Sequence, residues 1–167
     1  MIALKHVLVA TDFSEASERA LAYGRELART FGAKLRLLHV VENVASRYAT
    51  EVAFVDFPDI QVKIEEAGRV RLNSLITDDD RATLGATGVV VTSSAPASAI
   101  VDHAMKEPTD VIVVGTHGRT GVAHFFMGSV AERVVQTAPC PVLTVRAHEH
   151  DFVAPDALVA VAKTSSN

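Results

Sequence analysis

Four residues in one stretch of the chain, Gly115, Gly118, Gly128 and Ser129, are of the types and spacing that can hold a phosphate. They follow a short apolar run, Val111 to Val114, which ends abruptly at Gly115. An apolar run bounded by turn residues reads as a strand buried on both faces. Gly121 falls between Gly118 and Gly128, and beyond Ser129 the residues Val130, Val134 and Val135 recur at helical spacing. The stretch is therefore strand, long glycine-punctuated loop, helix, closed by Pro139 and Pro141 before a last strand, Val142 to Val145. Glycine lets backbone N–H groups approach an anion closely and accepts positive φ. A helix N-terminus adds unpaired N–H groups and a partial positive charge. Ser129 contributes a hydroxyl and Arg119 a fork of donors suited to phosphate oxygens. The alternative reading is that these glycines serve only turns and a helix cap. The spacing fits neither the P-loop G-x-x-x-x-G-K-[ST] nor G-x-G-x-x-G.

The remaining chemically capable residues form no comparable pattern. His39 falls inside an apolar strand and reads as a satisfied core histidine. His117 and His124 lie in the glycine loop without a carboxylate at short spacing to orient them. His148 and His150 form an H-x-H pair in the tail, and a structural zinc site normally wants four ligands. Ser129 has no G-x-S-x-G elbow, so a hydrolase triad has no support. Asp78, Asp79 and Asp80 read as a solvated helix end rather than a metal site. Cys140, between two prolines at a strand entry, reads as a small hydrophobe rather than a nucleophile.

The elements that would position the loop follow in order. Val7 to Ala10 is a first strand broken by Thr11-Asp12-Phe13-Ser14. Ser14 supplies a helix N-cap, Ala16, Ala20, Leu21, Leu27, Ala28 and Phe31 an apolar face, and Gly32 a C-cap. Leu35 to Val41 is the second strand, and Glu42 to Pro58 reads as a long connection. Ile60, Ile64, Ala67, Val70, Arg71 and Leu75 suggest a second helix that frays at Thr77 to Asp80. Gly88 opens a third strand, Val89 to Thr92. Ser94 caps a third helix over Ala97 to Lys106, with Ile100, Val101 and Ala104 inward and Pro108 ending it. Strand and helix alternating to a fifth strand predict a doubly wound α/β fold on a parallel sheet, with helices on both faces.

Composition sets bounds on function. At 167 residues, 49% hydrophobic and 22% charged, the chain reads as one globular domain. A net charge of −4 argues against a nucleic-acid partner, which would want a concentrated basic patch. The absence of an 18-residue apolar stretch argues against a membrane span. The opening MIALKHVLVATDF carries Lys5 and His6 inside it and reads as a strand rather than a signal peptide. One cysteine allows no internal disulfide, which fits a reducing cytoplasm.

The spacing Gly115, two residues, Gly118, nine residues, Gly128, Ser129 resembles the ATP-binding branch of the universal stress protein family. KHVLVATDFSE, LRLLHVVE and CPVLTVR resemble that family too, so the likeness covers residues 1–146 and leaves 147–167 as a tail. The resemblance implies a Rossmann-like five-stranded sheet of order 3-2-1-4-5, whose strand order reverses between the first and fourth strands. Ligands in such sheets sit beyond the carboxyl ends of the strands at that reversal. Ala10, Thr11 and Asp12 would then face the glycine loop across one crevice. By the same resemblance, Asp12 and Val40 take the adenosine side. Gly115, Gly118, Arg119, Gly128, Ser129 and Val130 take phosphates and ribose. Asp12 can equally cap the next helix, and Val40 can be plain core. The family likeness implies ATP, with magnesium, a homodimer paired through the fifth strand, and a nucleotide-responsive regulator of stress response in the cytoplasm. The rival readings are a slow ATPase or nucleotidyl-transferring enzyme, and a nucleotide-free dimeric scaffold. Ala10 departs from the proline that many family members carry there.

Overall fold

The computed structural model describes residues 1–48, 57–116 and 127–147. The elements are β1 (His6–Ala10), α1 (Glu15–Phe31), β2 (Lys34–Val41), α2 (Val44–Tyr48), α3 (Phe57–Leu75), α4 (Asp78–Leu84), β3 (Thr87–Thr92), α5 (Pro96–Lys106), β4 (Val111–Gly115), α6 (Ser129–Thr137) and β5 (Val142–Val145). The strands form one parallel sheet in the order β3-β2-β1-β4-β5. The doubly wound order expected from the sequence is the observed one. The register sets Val7 beside both Leu35 and Val111, and Ala10 beside both Leu38 and Val114.

Side chains alternate across a strand, and both sheet faces are covered. Val7, Val9, Leu35, Leu37, Val111 and Val113 point into one core, closed by residues of α1, α3 and α4 such as Ala20, Leu72 and Leu84. Leu8, Ala10, Leu38, Ile112 and Val114 point into the other, closed by α5 and α6 through Ile100, Ala104 and Val134. Strands buried on both faces explain the unbroken apolar runs in the sequence.

Helix α1 begins where Ser14 accepts the Ser17 N–H and ends at Gly32, whose φ of 64° is left-handed, as the cap pattern predicts. Several expectations need correction. Phe31, placed on the apolar face of α1, is 38% exposed at the last residue of the helix, just before the Gly32 turn. The face of α3 is also rotated from the expected one. Ile60, Ile64 and Val70 are exposed, while Gly68 and Leu72 pack on the sheet. The chain does not fray at Thr77 to Asp80. Thr77 caps the separate helix α4 through a reciprocal box with Asp80. Ser94 is not the cap of α5: Ala95 stands there, without a side-chain hydrogen bond, and Ser94 bonds the Ser46 hydroxyl at 2.5 Å. Of the valines that recur at helical spacing in α6, Val135 is 46% exposed, whereas Val134 is fully buried. The connection after β2 contains α2 and the first residues of α3, and residues 49–56 lie outside the described residues, as does the chain from His148 onward.

Candidate functional site

A cavity of about 320 Å³ opens at the carboxyl ends of β1, β2 and β4, where the strand order reverses. This is within the range of small-molecule clefts, roughly 300–1,000 Å³. Of the ten residues singled out in the sequence, Ala10, Thr11, Asp12, Val40, Gly115, Gly128, Ser129 and Val130 line it. Gly118 and Arg119 lie outside the described residues, with the rest of the glycine loop and its His117 and His124.

One wall is the turn from β1 into α1. Thr11 is buried, its N–H donates to the Leu38 carbonyl at 2.9 Å, and its hydroxyl shares a 3.1 Å bond with Ser17. The Asp12 carboxylate accepts both the N–H and the hydroxyl of Ser14, at 3.1 and 2.5 Å. Asp12 does not itself cap α1, whose N-cap is Ser14; one of its oxygens holds Ser14 in place while the residue lines the cavity. Asp12 is the one charged side chain among the described residues that line it.

The opposite wall is the end of β4 and the start of α6. Gly115 closes β4, and the following Thr116 donates its N–H to Val145 at 2.8 Å. The Gly128 N–H donates to the Thr116 carbonyl, which closes the base of the loop. The Gly128 N–H is already engaged, and its φ of −70° needs no glycine. The first N–H groups of α6 lie one step further on. The Glu132 N–H makes the first helical bond, back to Gly128, and no side chain caps the helix. The N–H groups of Ser129, Val130 and Ala131 thus precede the first intrahelical bond, and all three residues line the cavity. They carry the positive end of the α6 dipole.

Between these walls the lining is apolar. Val40 packs against the second core and also borders the cavity. Leu38, Pro96, Ile100 and Ala131 join it, together with buried Ser17. Sequence reasoning passed over Ser17, Pro96 and Ile100. The available signal was that α5 starts just beyond a strand end, on the face that α6 also covers.

The other candidates resolve into structure. His39 is half-buried, its Nδ1 lies 2.8 Å from the Thr11 carbonyl, and its ring lies tilted against Phe13. Asp80 is not solvated, as had been expected, but 1% exposed, and the Arg25 Nε donates to its two oxygens at 3.1 and 3.0 Å. Burial opposes its charge, but the Arg25 and Thr77 hydrogen bonds and the Arg25 charge outweigh that and hold its carboxyl below the usual range. Cys140 is half-buried, and burial, with the Asp110 charge, pushes its thiol up, away from nucleophilic use. Among the described residues no group of three or more His, Cys, Asp or Glu is placed to hold a metal, and no helix is long and apolar enough to cross a membrane.

Comparison with known proteins agrees with this architecture. The model of the universal stress protein family matches residues 3–146. A universal stress protein of Thermus aquaticus is 35% identical over 147 residues, covering 85% of this chain and 98% of that protein. The universal stress protein MJ0531 of Methanocaldococcus jannaschii is 32% identical, covering 85% and 82%. Among solved structures, MJ0577 superposes with a TM-score of 0.71 at 26% identity, covering 90% of this chain and all of that one. A universal stress protein of Archaeoglobus fulgidus in complex with dAMP shares the fold with a TM-score of 0.56 at 24% identity, covering 87% and 99%.

Proposed function

The chain belongs to the universal stress protein family, and we propose that it is an ATP-binding member, a nucleotide-responsive regulator of stress response in the cytoplasm. The observation that carries this reading is the pairing of unlike walls across one cavity. The uncapped N-terminus of α6 faces it from one side and the Asp12 carboxylate from the other, with Val40, Pro96 and Ile100 between. Phosphate oxygens suit the first wall, because backbone N–H groups and the helix dipole favour negative charge. Ribose hydroxyls suit Asp12, a carboxylate being an acceptor for them. The flat adenine ring suits the apolar side, where Val40 ends its strand. A simple anion would not use Asp12, and a neutral apolar ligand would leave the N–H groups unanswered. The dAMP named for the Archaeoglobus protein is that protein's ligand, and the reading here rests on the cavity.

Gly118 and Arg119 belong to this site by the spacing of the glycine pattern, with Ser129 adding its hydroxyl. Magnesium would accompany ATP through its phosphate oxygens, since this ion keeps several waters and takes few protein ligands. The functional form is a homodimer paired through β5.

Two measurements test the reading. The small molecule released from purified protein on acid denaturation is expected to be an adenine nucleotide, identified by absorbance and chromatography. Calorimetry of nucleotide-free protein is expected to show ATP binding with one site per chain. Protein that releases no nucleotide and gives no heat with ATP would place it among the nucleotide-free scaffolds.

A further inference from the structure

We propose that His39, which does not line the cavity, is a positioning residue that fixes the wall carrying Asp12. Its effect on ATP rests on the functional reading above; its effect on the wall does not.

The chain leaves β1 at Ala10 and reaches α1 at Glu15, so Thr11 to Ser14 must turn sharply. Thr11 stays on the sheet through its N–H, bonded to the Leu38 carbonyl. The Thr11 carbonyl then meets the His39 Nδ1 at 2.8 Å. A carbonyl oxygen only accepts, so Nδ1 carries the hydrogen, and in a neutral ring this selects the Nδ1–H tautomer. Phe13 makes the turn at φ 64°, the single non-glycine residue with positive φ among the described residues. A bulky residue rarely adopts that conformation and holds it only where its surroundings insist.

Those surroundings are visible. The Phe13 ring lies tilted against His39 with centroids 4.3 Å apart and planes inclined by 48°, and the Arg71 guanidinium lies 4.2 Å over it. His39 has little room to swing, because α3 approaches it so closely at Gly68 that a Cβ there would lie 3.3 Å from the His39 Cδ2. The turn is thus held between β2 and α3. Its inner bonds follow from that hold: Phe13 donates to the Thr11 hydroxyl at 3.0 Å, and Ser14 donates to Asp12 at 3.1 Å. One imidazole therefore sets both the carbonyl before Asp12 and the ring after it.

The test compares the parent with His39→Phe, which keeps a ring but removes the donor, and His39→Asn, whose amide nitrogen stands near the Nδ1 position. Nitrogen-15 spectra of nucleotide-free protein at about pH 8, above the ordinary histidine value, are expected to show the Nδ1–H tautomer of His39. An Nε2–H tautomer overturns the proposal. Amide exchange at Phe13 and Ser14 is expected to quicken about tenfold in His39→Phe, the scale of one lost hydrogen bond, and to recover in His39→Asn. The ATP dissociation constant is expected to follow, about tenfold weaker in the first variant and restored in the second. Exchange as slow in His39→Phe as in the parent, or no recovery in His39→Asn, overturns the proposal. If His39→Phe does not fold, the tautomer and the His39→Asn exchange decide. A parent that binds no ATP sinks the functional reading, while the tautomer and exchange still judge this one.

Discussion

Gly115 closes β4 against the backbone of Ala16 in α1: a Cβ on Gly115 would lie 2.8 Å from the Ala16 carbonyl carbon. It would lie 2.9 Å from the Ser17 nitrogen. Neither atom belongs to a flexible side chain, so the helix itself would have to move. The first glycine of the motif therefore seats α1 on the sheet beneath the cavity.

From that contact, Gly115→Ala is expected to destabilise the fold by about 1–3 kcal/mol, the usual cost of overpacking. At a permissive site the same change would stabilise by roughly 0.4–1 kcal/mol through the unfolded chain. The sign of the shift in a urea melt decides between the two.

Arg25 and Asp80 give a second prediction. Asp80 is almost wholly buried and receives Arg25 through Nε and a 2.9 Å ion pair. Arg25→Ala removes the main partner of that charge, leaving the Arg29 guanidinium at 3.9 Å and the Thr77 N–H, and is expected to cost about 1–3 kcal/mol. The folded pKa of Asp80 lies below its unfolded value of 3.8. Its contribution is therefore present above pH 3.8 and disappears as pH falls through the lower folded value. Acid melts of parent and Asp80→Asn should converge in that range; curves that stay parallel down to pH 2 would refute the linkage.

These two cases mark what the sequence made legible. Gly115 was visible as the end of a buried strand, and Asp12 as the break after another, because turn chemistry and apolar runs are local signals. Asp80 was misread because its partner lies 55 residues away on α1, and no local pattern announces such a pair. Helix α3 misled for a related reason. Ile60, Ile64 and Val70 look like a core stripe, yet Gly68 and Leu72 face the sheet. Close packing there depends on a small residue, which hydrophobic periodicity does not score. Ser17, Pro96 and Ile100 reach the cavity only through the way α1 and α5 sit on the strands.

The sheet has two edges, β3 and β5, and Val142 to Val145 would leave an apolar one unpaired. A homodimer through β5 is expected at micromolar concentration. Light scattering that returns a single chain of 17.8 kDa there would exclude it.

Hydrolysis of bound ATP is expected to be slow. Asp12, the one carboxylate on the described lining, is engaged with Ser14, and no described lysine or histidine lines the cavity to activate water or stabilise the transferred phosphoryl. Turnover should fall below about 1 s⁻¹, the low end of ordinary enzymes. A steady-state phosphate-release assay above that rate would move the protein into the enzyme class.

Gly128 tests the phosphate wall directly. Its φ of −70° and ψ of 149° lie in the extended region that valine favours, and its N–H bond to Thr116 survives substitution. Gly128→Val should therefore fold, losing no more than about 1 kcal/mol for a poorer residue at the N-cap. The added carbons would crowd the space in front of the Ser129, Val130 and Ala131 N–H groups, which a phosphate must approach closely. Charge-assisted hydrogen bonds contribute about 1.5–3 kcal/mol each, so losing two weakens binding by roughly two to four decades. Thermal melting without ligand reads the fold, and calorimetry with ATP reads the site. A variant that melts near the parent but binds no measurable ATP supports the assignment of phosphates to the α6 N-terminus. A variant that binds ATP as the parent does would show that Gly128 only closes the loop, and the phosphates would have to be sought away from this wall.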